Sequence, residues 1–275
     1  MDELSKRRRA KIFRWTKVIV LVYCAAGLAL YYLQDKLMLH PIPLPADYKF
    51  KFDTPFREIN ISMNATDNLN LIQFVPEGSP AKGVVLYFHG NRDNVNRYAK
   101  YASNFTKHRY EVWIMDYPGY GKTTGKFTEG RVYKQAREIY KLALTKFNED
   151  NIIVYGKSLG SGAASWLASK RPCQRLILET PYYSIADLLA HYAPFYPVKR
   201  MTHFKFPTGE YVKQITVPIT IFHGSEDGVI PYRCAEKLKK VLKPGDEFIT
   251  IDKGSHNDLN DFPVFHSKLD SLLSL

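Results

Sequence analysis

Ser158 stands between glycines in Gly156-Lys157-Ser158-Leu159-Gly160, directly after the apolar run 152–155 (IIVY) and at the start of a helix-length segment, 158–170. G-x-S-x-G between a strand and a helix reads as a nucleophile elbow. The flanking glycines permit a sharp, strained turn that lifts the hydroxyl clear of the sheet, and the helix N-terminus offers positive potential to a developing oxyanion. The same residues imitate the end of a phosphate loop, but G-x-x-x-x-G-K-S needs glycine at 151 and finds Asn151. A second imitation, Gly121-Lys122-Thr123, needs glycine at 116 and finds Asp116. Spacing excludes both phosphate readings.

A serine nucleophile needs a base, and the base needs an acid to orient it. With such an elbow the partners follow in the order serine, acid, histidine. After the run 219–222 (ITIF), His223-Gly224-Ser225-Glu226-Asp227 places Asp227 in a loop at the carboxyl end of a strand. After 248–251 (FITI), Gly254-Ser255-His256 does the same for His256. Glu226 would point elsewhere on a tight turn, and the plainer role for Asp227 is to cap a helix after Pro231. His40 falls in a proline-rich stretch, His108 precedes a strand at the opposite edge, His191 and His203 lie in an aromatic insertion, and His266 falls within the last helix. His256 alone has the required place. The oxyanion donors expected are the main-chain N–H groups of Leu159, next to the nucleophile, and of Asn91. The latter follows the run 84–88, where Gly90 lets the backbone come close.

The elements that must position these residues alternate along the chain. Short apolar, β-rich runs at 84–88, 112–115, 152–155, 176–178, 219–222 and 248–251 suit strands buried on both faces of a parallel sheet. Helix-length segments at 94–107, 129–147, 158–170, 233–242 and 262–273 separate or follow them, and 56–75 reads as an antiparallel hairpin. The expected fold class is α/β: a mostly parallel central sheet, helices on both faces, and ligands at the carboxyl ends of the strands. Between 178 and 219 the chain inserts about thirty residues beyond a plain crossover, a lid expected over roughly 182–214. It carries Tyr182, Tyr183, Tyr192, Phe195, Tyr196, Phe204, Phe206 and Tyr211. Half of these are expected to pack the insertion onto the core and the rest to line an acyl pocket.

The 275 residues are 45% hydrophobic and 24% charged, which excludes wholesale disorder. The net charge of +12 raises the question of nucleic acid, but its distribution answers against it. Residues 1–17 form a basic flank (Lys6, Arg7, Arg8, Arg9, Lys11, Arg14, Lys17), and the rest of the excess is scattered. Residues 18–33 (VIVLVYCAAGLALYYL) carry no charge and read as a transmembrane anchor. Residues 12–33 contact the bilayer if Arg14 and Lys17 snorkel and Trp15 sits at the interface. A cleaved signal peptide is disfavoured, because the small residues Ala25-Ala26-Gly27 come early and the apolar run continues beyond them. Positive charge before the span places the N-terminus in the cytoplasm and residues 34–275 on the opposite side, whether periplasmic, extracellular or lumenal. Residues 34–55, with Pro41, Pro43 and Pro45, are expected to be a stiff extended linker, and 56–275 the catalytic domain. Cys24, Cys173 and Cys234 form neither a disulfide framework nor a zinc motif.

Together His89-Gly90-Asn91, Asp116-Tyr117-Pro118-Gly119-Tyr120-Gly121, Gly156-Lys157-Ser158-Leu159-Gly160, His223–Asp227 and Gly254-Ser255-His256 resemble the α/β-hydrolase superfamily over roughly residues 56–275. The layout looks like the subgroup with one N-terminal membrane anchor and a short lid, which includes lysophospholipases, protein depalmitoylases, bud-emergence-type proteins and serine-aminopeptidase-like hydrolases. The resemblance implies Ser158, Asp227 and His256 as a triad, with Asn91 and Leu159 as oxyanion donors and no metal or organic cofactor. The expected activity is hydrolysis of carboxylic ester or thioester bonds of acyl, lipid-like substrates. A serine peptidase and a catalytically silent membrane-tethered scaffold are the alternatives.

Overall fold

A computed structural model describes residues 3–274 apart from Ser79. Its first element is one uninterrupted helix, α1 (Glu3–Met38), among the described residues the one helix long and apolar enough to cross a membrane. No proline interrupts it, and Gly27 faces the ring of Tyr196 in the lid, where a side chain at 27 would collide. The helix thus runs past Leu33 into the segment expected to be linker.

That segment is extended, as its prolines dictate, but it does not stand free. His40–Pro41 pairs in parallel with Arg92–Asp93, and Pro43 bridges to Gly121. Farther on, Phe50 is buried and packs with Phe52 against Phe56 and Phe74. The linker expectation is therefore corrected: the packed body takes in these residues, because the free amides of His40, Ile42 and Leu44 find carbonyl partners on Asn91, Asp93 and Gly121.

The main sheet has eight strands: β1 (Phe56–Ser62), β2 (Asn68–Phe74), β3 (Gly83–Phe88), β4 (Tyr110–Met115), β5 (Ile152–Lys157), β6 (Arg175–Glu179), β7 (Ile219–Gly224) and β8 (Glu247–Ile251). Their spatial order is β8-β7-β6-β5-β3-β4-β2-β1, antiparallel at β1–β2 and β2–β4 and parallel elsewhere. Alternate residues sort to two apolar layers. Val84, Leu86 and Phe88 face one with Val154 and Leu178, whereas Val85 and Tyr87 face the other with Ile153 and Ile177. Continuous apolar runs are thus the signature of a sheet covered on both sides.

One cover is α2 (Glu129–Leu144), capped by the Thr128 hydroxyl at the Arg131 amide, with α3 (Gly160–Lys170). The C-terminal helix Pro263–Leu273 and the segment after β3 form the other. The helix expected over 94–107 is two single turns, Val95–Tyr98 and Ser103–Thr106, joined by a 3-10 turn. Its start is pinned by Asn94, which caps Asn96, and by Asp116, which accepts the Val95 amide. The insertion between β6 and β7 carries α4 (Ile185–Tyr192), α5 (Val198–Met201) and α6 (Thr208–Val212).

Candidate active site

Ser158 follows the last residue of β5 and has φ of +53°, the left-handed region that costs a non-glycine residue roughly 1–3 kcal/mol. The strained residue is the serine itself, and the glycines serve a different purpose. A Cβ on Gly160 would run into the Phe88 carbonyl, and one on Gly156 would sit 2.6 Å from the Cβ of Ala164. They let α3 press against β3 and β5, which holds the turn. The Ser158 amide donates to the Glu179 carbonyl at 2.9 Å, anchoring the elbow to β6.

The three side chains singled out in the sequence meet. His256 Nε2 lies 2.9 Å from Ser158 Oγ, and His256 Nδ1 donates to Asp227 Oδ2 at 2.8 Å. With the Nδ1 proton on that carboxylate, Nε2 is left to accept from the serine hydroxyl. Asp227 does not cap the helix after Pro231, whose N-cap has no side-chain bond; its Oδ1 instead accepts the amides of Val229 and Ile230 at 2.8 and 2.7 Å and closes its own turn. The two oxygens divide the roles, while Glu226 stays exposed. Burial pushes the Asp227 carboxyl up, but the bond and charge of His256, the Ile230 amide and His223 together hold it below the usual carboxylate value.

His223 went unassigned in the sequence, although it lies four residues before Asp227. It is fully buried, donates Nε2–H to the Ile230 carbonyl at 2.9 Å, and sits 3.6 Å from Asp227 Oδ2. Burial lowers its pKa against the pull of Asp227, which favours the neutral ring. His89 is likewise buried, donating Nδ1–H to the Gly90 carbonyl at 2.7 Å with Nε2 3.2 Å from Asp116. It stiffens the loop that carries Asn91. Neither role shows in residue type alone, since both depend on which strand ends become neighbours.

Behind the serine lies a third buried group. Lys157 is ion-paired with Glu179, which also accepts from the Tyr155 hydroxyl and, at 3.3 Å, from the Asn260 side chain. The ion pair spans the register-paired ends of β5 and β6.

Among the described residues, the main-chain N–H groups of Leu159 and Asn91 make no hydrogen bond. Gly90 brings this loop to Ser158, since a Cβ there would be 3.6 Å from the Ser158 Cβ. A cavity of about 290 Å³ opens over Ser158 and His256, walled by Leu37 and His40 as well as by Asn91, Arg92 and Arg97. Neither guanidinium is ion-paired among the described residues, so the mouth is cationic. The lid aromatics do not form this wall as expected. Tyr182, Phe204 and Phe206 are buried in the core, and Phe195 and Tyr196 face α1 or solvent, because the lid packs sideways onto the helix. No group of three or more His, Cys, Asp or Glu is placed to hold a metal among the described residues.

Sheet order, elbow and the loops at the strand ends give the chain the α/β-hydrolase fold. A family model described as serine aminopeptidase, S33, matches residues 79–210. Alpha/beta hydrolase domain-containing protein 17C of mouse is 25% identical over 222 residues, covering 79% of this chain and 68% of the relative. Uncharacterized protein Rv2307c of Mycobacterium tuberculosis is 27% identical over 188 residues, covering 67% of each. The chain thus spans about two thirds of the length of these curated relatives. In fold it is similar to the esterase Pf2001 of Pyrococcus furiosus, with a TM-score of 0.65 at 16% identity over 86% of this chain and 96% of the other. Acetyl xylan esterase 1 from Thermoanaerobacterium gives 0.64 at 14% identity, over 83% and 86%.

Proposed function

We propose that this chain is a membrane-anchored serine hydrolase that cleaves carboxylic ester or thioester bonds of acyl substrates, with Ser158, His256 and Asp227 as its triad. The observation that carries the reading is the continuous path Ser158 Oγ, His256 Nε2, His256 Nδ1, Asp227 Oδ2 at the floor of an open cavity. His256 takes the serine proton as Oγ attacks the acyl carbon, and the N–H groups of Asn91 and Leu159 receive the oxyanion. Asp227 fixes the tautomer and stabilises the imidazolium. The same histidine returns the proton to the leaving alcohol or thiol, then activates the water that frees Ser158. Arg92 and Arg97 at the mouth favour substrates with negative charge beyond the scissile bond. Helix α1 is the anchor in this reading, with the N-terminus cytoplasmic and the hydrolase domain across the membrane.

The peptidase alternative draws on the description of the matching family model. The reading is tested by labelling the full-length protein with a fluorophosphonate and comparing Ser158→Ala, then measuring release from acyl esters, acyl thioesters and aminoacyl amides. Label on the native protein but not on the variant is expected, with esters or thioesters faster than amides. Equal labelling of both, or amides cleaved fastest, would overturn it.

A further inference from the structure

The membrane helix and the lid are joined side by side rather than by a flexible tether. Tyr23 and Tyr196 stack with ring centroids 4.6 Å apart and planes 6° apart. Tyr23 donates its hydroxyl to the Phe195 carbonyl, and Tyr196 donates to the Tyr23 carbonyl, both at 2.9 Å. Lower on the helix, the buried Gln34 donates to the Met201 carbonyl at 2.9 Å and accepts the His203 amide at 2.8 Å. Asp35 then pairs with the His203 ring.

Around the lower clamp the surfaces do not close fully. A narrow apolar slot remains, lined by Leu30, Leu37 and Met38 of α1 and by Leu189, Val198 and Met201 of the lid. Leu37 walls both this slot and the cavity over Ser158, so the two spaces meet at one side chain.

Depth in the bilayer says what reaches the slot. Tyr23 lies ten residues before Leu33, about 15 Å along the helix axis. If residues 18–33 span the hydrocarbon, the lid tip clamped to Tyr23 lies inside it too. Phe195, 84% exposed, is then a side chain bathed in lipid rather than in water. The slot runs from Leu30, within the span, to Met38, about 7 Å past Leu33, so it lies at the interface, where a lipid's ester sits with its acyl chain pointing into the leaflet. At its far end Leu37 alone separates it from the cavity over Ser158.

We propose that the slot between α1 and the lid is the acyl-chain subsite, so that the membrane helix itself forms one wall of the substrate site and a long-chain ester or thioester reaches Ser158 sideways from the leaflet. The proposal rests on the reading of Ser158 as the nucleophile. Leu30, Leu37 and Met201 set chain-length preference, and a chain too short to enter the slot gains nothing from it. Leu37 and Met201 have only to swing apart for methylenes to pass, a rotamer change open to unbranched Met and flexible Leu.

The full-length protein in phospholipid nanodiscs is treated with an alkyl fluorophosphonate carrying a diazirine at mid-chain, illuminated and digested. The adduct on Ser158 is expected to crosslink to peptides containing residues 30–38 or 189–201. In parallel, Met201→Trp and Leu189→Trp are expected to lower kcat/KM for p-nitrophenyl palmitate at least tenfold while leaving p-nitrophenyl butyrate within twofold. Butyrate turnover shows that each variant is folded, and Met201→Ala, which opens the slot, serves if neither Trp variant folds. It should keep palmitate turnover and admit branched acyl chains that the native protein rejects. A Ser158 adduct whose crosslinks fall elsewhere, or Trp variants that treat both esters alike, would overturn the subsite. Absence of any Ser158 adduct would instead sink the nucleophile assignment.

Discussion

The Asn91 side-chain amide donates to the Met38 carbonyl at 2.6 Å, tying the loop beside Ser158 to the last turn of α1. The backbone repeats the link, for His40 N–H donates to the Asn91 carbonyl at 3.0 Å and the Tyr120 hydroxyl donates to it at 2.9 Å. A carbonyl at a helix C-terminus lacks an intrahelical partner, and Asn91 supplies one. If the Asn91 N–H receives the oxyanion, the helix end fixes its aim. Asn91→Ala keeps the main-chain donor and removes only the tie. We predict roughly tenfold lower kcat with KM little changed, and about 1 kcal/mol lost in denaturant unfolding. An unchanged kcat would show that the loop holds its aim without the helix.

The triad assignment predicts non-additive losses. Ser158→Ala and His256→Ala should each lower ester hydrolysis by roughly 10³-fold or more, and the double variant should be little worse than either, because the pair acts as a unit. Asp227→Asn keeps the shape but misorients the ring and should also cost on the order of 10³-fold. Near-native turnover in His256→Ala, with loss in His266→Ala, would move the base from the loop after β8 to the C-terminal helix.

The sequence made the sheet and the meeting of Ser158, Asp227 and His256 legible for a physical reason. Strands buried on both faces need continuous apolar runs, and a strained serine turn needs small neighbours on either side. Those constraints are local, so 152–155 followed by Gly156 and Gly160 carries them openly. The partners of α1 are not local. Tyr196 meets Tyr23 across 173 positions, and Gln34 meets Met201 across 167, and nothing in the composition of either segment announces the other. The prolines at 41, 43 and 45 correctly implied an extended backbone, but extension alone does not say whether its amides face water or a neighbouring strand. His223 and His89 were silent for the same reason.

Lys157 and Glu179 are both almost fully buried, so each charge depends on the other. Removing one partner leaves an uncompensated charge and should cost about 3–5 kcal/mol. Lys157→Met is predicted to unfold at clearly lower urea, whereas Lys157→Met combined with Glu179→Leu should recover much of the loss. Additive losses in that double-mutant cycle would show that the two groups act separately.

His223 makes stability depend on pH. Its folded pKa is depressed below the usual histidine value, chiefly by burial, so at mildly acidic pH the unfolded chain binds a proton that the folded chain refuses. The folded protein should therefore lose stability as pH falls from about 7 through the ordinary histidine range. Asp227, held low, adds its own loss only below the ordinary carboxylate range. His223→Gln can still donate to the Ile230 carbonyl but carries no titrating ring. Urea midpoints measured between pH 7.5 and 5.5 should fall in the native protein and flatten in this variant. Parallel slopes would assign the effect to another group.

The orientation of α1 can be read from two exposed positions on either side of the apolar stretch. Seven cations precede the span, whereas Asp35 and Lys36 balance each other just after it. Cytoplasmic loops carry the excess of lysine and arginine, so residues 1–17 are predicted inside and the folded domain outside. Native cysteines interfere little, because Cys173 and Cys234 are buried and Cys24, within the helix, can be replaced by alanine. In that background, Arg8→Cys and Lys51→Cys place one thiol at each end, both at exposed residues. A membrane-impermeant maleimide added to intact spheroplasts should modify Lys51→Cys and spare Arg8→Cys until the membrane is opened by detergent. The reverse pattern would put Ser158 on the cytoplasmic side, where it would meet acyl chains of the inner leaflet. Labelling of both before detergent would mean that α1 lies along the surface instead of crossing it.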